Sequence, residues 1–209
     1  MFKKDSTILF QGDSITDCHR NKENPAHNEQ LGMGYANLLA GELLASESDK
    51  EYKIFNRGVS GHRIVDLYAR WKRDCLNLKP DVLSLLIGIN DIWHEFSSQN
   101  GVDAKRFDQF YRMLLDWTKE ENPDIKLILC EPFALPCGHI TNEWFEVLDE
   151  RRAIVKQIAE DYQTVFVPFQ SVFDEAMKKA PADHWAPDGV HPSIAGHKIM
   201  AEAWLKALN

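Results

Sequence analysis

Val82-Leu83-Ser84-Leu85-Leu86-Ile87 is an almost unbroken apolar run of strand length. A strand with one wet face alternates apolar and polar residues. A near-continuous run belongs to a strand covered on both faces, which is the signature of a parallel sheet between helices. Residues 7–11, 52–56, 126–131 and 164–168 read as four more strands, most of them carrying Val, Ile or Phe. Longer amphipathic stretches fill the gaps. Residues 35–45 are apolar with small side chains, and residues 104–121 and 143–162 repeat apolar positions at helical spacing. A last helix follows a Ser193 cap and puts Ile199, Met200, Ala203 and Trp204 on one face. Strand then helix, repeated about five times, predicts an α/β domain with helices on both sheet faces. With no linker, repeat or low-complexity run, residues 1–209 read as one domain.

The formal net charge of -8, with no basic stretch, excludes nucleic acid and an anionic membrane surface as partners. No apolar stretch approaches the roughly 18 residues of a membrane span. The first apolar run is too short for a signal-peptide core. Cys18, Cys75, Cys130 and Cys137 form no C-x-x-C pair, so reduced thiols in a cytoplasmic protein are expected.

In an open parallel sheet, ligands bind beyond the carboxyl ends of the strands. Four chemically marked segments fall where loops would meet at that rim. Gly12-Asp13-Ser14 follows the first strand, Ser60-Gly61 the second, and Gly88-Ile89-Asn90-Asp91 the third, while Asp188-Gly189-Val190-His191 precedes the last helix. Taken singly, each is ordinary. Ser14 reads as a helix cap, Gly61 as a left-handed turn, Asn90 as a turn residue bonding its own backbone. Asp188 to His191 reads as a turn leading into a helix at Pro192 and Ser193. Together they offer a nucleophile, a base, a carboxylate that orients the base, and donors for an oxyanion.

These four blocks, in this order, resemble the SGNH hydrolase superfamily, also called GDSL esterases. The resemblance implies a three-layer α/β/α sandwich of flavodoxin-like type with a five-stranded parallel sheet. It implies Ser14 as nucleophile, His191 as general base and Asp188 as its orienting carboxylate. The oxyanion hole would be the Ser14 and Gly61 backbone N–H groups with the Asn90 side-chain amide. No metal or organic cofactor is implied. The spacing of His184, His197, Asp183 and Asp188 matches no standard zinc pattern.

Asn56-Arg57-Gly58-Val59-Ser60-Gly61, Ala69-Arg70-Trp71, the stretch around Asn90 to Trp93, and His191 to His197 are similar to the carbohydrate-esterase branch of that superfamily. Intracellular acetylxylan esterases, which deacetylate short xylo-oligosaccharides, belong to it. His62 departs from that branch, which often carries Asn there; this bears on substrate contacts, not on the triad. The expected substrate is a short-chain, acetyl ester of a carbohydrate, and a homo-oligomer is expected because members of the branch often assemble. Trp93 and Trp185 flank the site blocks and suit sugar faces, but suit a core equally well. A thioesterase or lysophospholipase would use the same triad. A non-catalytic binding module or a flavin binder shares the layer order. Against the last, Asp13 and Asp17 stand where a phosphate would sit. Residues 20–31 read as a surface loop or a flap over the site, and residues 132–142 as a second irregular segment.

Overall fold

The computed structural model describes residues 1–23 and 26–208. Five strands form one parallel sheet: β1 (Thr7–Gly12), β2 (Lys53–Asn56), β3 (Val82–Leu86), β4 (Lys126–Cys130) and β5 (Val165–Val167). Their order is β2-β1-β3-β4-β5. The helices are α1 (Ser14–Asp17), α2 (Tyr35–Ser46), α3 (Ile64–Asp74), α4 (Ile89–Ser98), α5 (Ala104–Glu121), α6 (Asn142–Asp161), α7 (Phe169–Met177), α8 (Ala182–Trp185) and α9 (Ile194–Ala207).

Side chains alternate across a strand, so each strand feeds two cores. Ile8 and Phe10 of β1 face a cluster built with Leu39 of α2, Phe173 of α7 and Trp204 of α9. Leu9, one residue along, faces a cluster built with Leu67 of α3, Leu114 of α5 and Val155 of α6. This is the three-layer arrangement expected of the sequence. The one polar residue in the β3 run has a partner: Ser84, fully buried, accepts a hydrogen bond from Trp204 Nε1 at 3.0 Å.

Five of the described helices are not foreseen by the sequence reading, and two of them, α1 and α8, have only four residues. α3 hides because a charged residue, Arg70, lies on its buried stripe with Ile64, Leu67 and Trp71. α4 hides because it starts inside a glycine turn. Gly88 takes φ +134, which ends the strand, and Asn90 and Asp91, weak helix formers, sit in the first turn. α7 starts directly after Pro168 and has nine residues.

The strand order reverses at β1. β2 lies on one side of it and β3 on the other. Gly12 pairs with Leu86 at the carboxyl ends of β1 and β3. The segments that follow these two strands therefore leave the sheet side by side, at the switch point where ligands bind in open α/β sheets. Gly12 is needed there: a Cβ would lie 2.3 Å from the Leu86 carbonyl oxygen.

Candidate active site

Ser14 is the first residue of α1. Asp13 caps that helix, its Oδ1 accepting from Ile15 N at 3.0 Å. The hydroxyl of Ser14 thereby stands at the end of β1, 2.8 Å from His191 Nε2. On the other side of the ring, Nδ1 lies 2.6 Å from Asp188 Oδ2. A carboxylate at that distance accepts a hydrogen bond from Nδ1–H, so Nε2 is left to accept from the serine hydroxyl. Asp188 Oδ1 also accepts the backbone N–H groups of Val190 and His191, at 2.9 and 2.7 Å. Burial works to raise the Asp188 carboxyl, but the His191 bond and these two N–H groups outweigh it and hold it below the usual carboxylate range. The carboxylate is thus ionised and aimed.

The Asp188–His191 turn is held from two directions. Gly138, with φ +63, lets residues 132–142 press against it. A Cβ there would lie 2.4 Å from the Asp188 backbone. Behind the turn, Ser193 caps α9, its Oγ accepting from Gly196 N at 3.2 Å. That is the cap expected from the sequence.

Gly61 lies between β2 and α3 with φ +81 and open space where a Cβ would stand. It is required by its backbone conformation, not by crowding. Neither the Ser14 N–H nor the Gly61 N–H has an acceptor among the described residues. The Gly61 carbonyl is bonded to His94 Nε2 at 3.0 Å. Asn90 stands in the first turn of α4, and its Nδ2 donates to His62 O at 3.2 Å. The loop after β2 is therefore secured to α4 at two successive carbonyls.

Two charged residues whose part the sequence reading missed hold these loops in register. Asp17 is 2% exposed, and its Oδ2 accepts from Ser60 N at 3.0 Å, from Ser60 Oγ at 2.9 Å and from Lys22 Nζ at 2.8 Å. Burial opposes its charge, but Lys22 and Ser60 prevail and lower its pKa. Arg70, from α3, reaches under the loops. It donates to Gly12 O, Arg57 O, Gln11 Oε1 and, through Nε, to His62 Nδ1 at 3.0 Å. His62 accepts at Nδ1, so its neutral ring carries its proton on Nε2; burial, aided by Arg70, lowers its pKa. The sequence does hold a signal for Arg70: a cation three residues after Leu67 on an apolar stripe.

Two buried carboxyls flank the site. Burial pushes Asp13 up to about 7 and Asp91 up to about 8. Asp91 accepts from Ile64 N at 3.1 Å, joining α4 to the start of α3.

A cavity of about 780 Å³ opens over Ser14 and His191. Residues 17–23 form one wall, including Arg20 and Lys22. The expected flap, residues 20–31, includes residues 24 and 25, which lie outside the described residues. Neither tryptophan singled out in the sequence borders this cavity. Trp93 meets Trp144 and His139 edge-on, at 5.3 and 6.0 Å between ring centroids. Trp185 donates from Nε1 to Ala180 O at 3.2 Å, and that bond turns it toward a separate depression between α7 and α9. No group of three or more His, Cys, Asp or Glu suited to a metal occurs among the described residues. No described helix is long and apolar enough to cross a membrane.

The chain is similar over most of its length to known proteins. The profile of the GDSL-like lipase/acylhydrolase family matches residues 10–199. An acetylxylan esterase of Geobacillus stearothermophilus is 36% identical over 96% of this chain and 93% of its own length. The crystal structure of a GDSL-like lipase from Parabacteroides merdae superposes with a TM-score of 0.96 at 44% identity, covering 99% of this chain and 97% of that one. The crystal structure of the Geobacillus esterase Axe2 superposes with a TM-score of 0.90 at 35% identity, covering 99% and 95%. Variants of Axe2 with one serine, one aspartate or one histidine replaced by alanine are described as catalytic mutants. The chain belongs to the GDSL-like lipase/acylhydrolase family and is an ester-hydrolysing enzyme.

Proposed function

We propose that this enzyme is a serine esterase that removes short acyl groups, acetyl above all, from carbohydrates such as xylo-oligosaccharides. The observation that carries the reading is the continuous line of hydrogen bonds from Ser14 Oγ through His191 to Asp188.

In this mechanism the ester carbonyl enters with its oxygen toward the Ser14 and Gly61 N–H groups and the Asn90 amide. Ser14 Oγ attacks the carbonyl carbon while His191 Nε2 takes the hydroxyl proton. Negative charge moves to the carbonyl oxygen, where the three donors meet it. The resulting imidazolium is stabilised by ionised Asp188 and returns the proton to the leaving alcohol. Water then repeats the sequence on the acyl-enzyme, releasing the acid and restoring Ser14.

The preference for a short acyl group and a sugar rests on the cavity wall. Residues 17–23 present charged and polar side chains beside Ser14, not the apolar channel a long acyl chain requires. The relationship to an acetylxylan esterase points the same way. Trp93 packs against Trp144 and His139 and Trp185 faces the depression between α7 and α9, so we assign neither tryptophan a sugar-facing role.

A substrate panel tests this. Aryl esters should lose kcat/KM steadily from acetyl to octanoyl, and acetylated xylobiose should be turned over faster than acyl-CoA or lysophospholipid. Preference for octanoyl esters, acyl-CoA or lysophospholipid would replace the sugar-esterase reading with one of its rivals.

A further inference from the structure

Arg20 stands on the wall of the cavity that holds Ser14 and His191. Its Nε donates to Gly58 O at 2.7 Å, which fixes one edge of the guanidinium to the loop after β2. Its two terminal nitrogens have no hydrogen-bond or ion-pair partner among the described residues. The other cation on this wall is already committed: Lys22 Nζ is paired with Asp17. Arg20 is half-buried. Burial lowers its pKa, while the charges of Asp17 and Asp74, neither bonded to it, work the other way. A chain of net charge -8 does not place a cation here through any general basicity of its surface.

A half-buried guanidinium left with four open N–H groups is costly unless something fills them. The planar fork, held at one edge, matches a carboxylate by two parallel bonds better than it matches any neutral group. Sugar hydroxyls can accept one such bond each, without the charge.

We propose that Arg20 forms a subsite for a carboxylate on the alcohol half of the substrate, so that the preferred substrates are acetylated oligosaccharides that also bear a uronic acid. This rests on the sugar-esterase reading above and narrows it. The ester is cleaved at Ser14, while the acidic substituent docks on the Arg20 wall of the same cavity.

The test compares two acetylated xylo-oligosaccharides of equal length, one neutral and one carrying a glucuronic acid branch. Wild-type enzyme at low ionic strength should favour the acidic one in kcat/KM by at least about tenfold, the range of one charge-assisted pair. Added salt should shrink that preference. In Arg20→Gln, shown to be folded by its thermal unfolding curve, the ratio should fall to near one. Equal rates on both substrates in wild type would overturn the proposal. So would an Arg20→Gln variant that slows both substrates equally, which would mean that Arg20 bonds neutral hydroxyls.

A second measurement needs no variant. Free glucuronate should inhibit wild-type hydrolysis of an aryl acetate at lower concentration than glucose does; equal inhibition would count against the subsite. If aryl acetate and the neutral oligosaccharide are hydrolysed without acid preference, only the subsite fails. If neither oligosaccharide is hydrolysed, the sugar-esterase reading fails with it.

Discussion

Asp17 Oδ2 accepts both the backbone N–H and the hydroxyl of Ser60, at 3.0 and 2.9 Å. Ser14 begins the four-residue helix that Asp17 ends, and Ser60 immediately precedes Gly61. One carboxylate oxygen therefore sets the spacing between the Ser14 turn and the loop that carries Gly61.

Replacing that carboxylate should loosen the spacing while leaving Ser14, His191 and the three proposed oxyanion donors in the chain. Asp17→Asn loses the charge that holds Lys22 and both Ser60 donors. It is expected to lower kcat by about ten- to a hundredfold, with KM changing far less. Steady-state kinetics on an aryl acetate reads both numbers. A rise in KM with kcat unchanged would show that Asp17 shapes substrate binding instead. The pH sign follows from its lowered pKa. The bonds are fully present above the ordinary carboxylate value and are lost as pH falls through the lower, folded value.

Asn90 bears on rate in a different way. The residue is 8% exposed, and its side-chain amide is already oriented by the His62 carbonyl. Asn90→Ala should reduce kcat by about a hundred- to a thousandfold, the usual loss for one oxyanion donor. The thermal unfolding midpoint should change little by comparison. Activity within a factor of two of wild type would remove Asn90 from the site.

Much of this arrangement is legible in the chain. The β3 run specifies a sheet covered on both faces. Ser14, Gly61, Asn90, Asp188 and His191 occur in short local motifs that follow strands or precede a helix. What resists reading is whatever depends on contacts between distant segments. Asp17 meets Ser60 across 43 residues, and nothing local to Asp17 announces it. Arg70 joins the ends of β1 and β2 from a helix that its own charge conceals. Trp185 is adjacent to the Asp188 block in sequence, yet a single bond to Ala180 O turns its ring away. Proximity in the chain gives the backbone position and leaves the direction of the side chain open.

The buried carboxyls make a prediction about stability. Burial raises Asp91 from the ordinary value of 3.8 to about 8. Between those values the folded chain holds a proton that the unfolded chain has lost. Stability from this group therefore falls as pH rises from about 4 to about 8, and is level above that. Asp91→Asn removes the dependence. Its unfolding midpoint should gain on wild type by something on the order of 3 °C per pH unit across that window. Scans at pH 5, 6.5, 8 and 9 would show it, and a gap constant with pH would contradict it.

The central claim is that Ser14 is the nucleophile and that His191 activates it. Its most direct test is to treat the enzyme with a fluorophosphonate and locate the adduct by mass spectrometry. The account predicts one adduct per chain, on Ser14, formed in step with loss of esterase activity. In His191→Ala the same adduct should form slower by at least about a thousandfold. Inactivation with the adduct on any other residue, or full activity in a chain already labelled at Ser14, would contradict it.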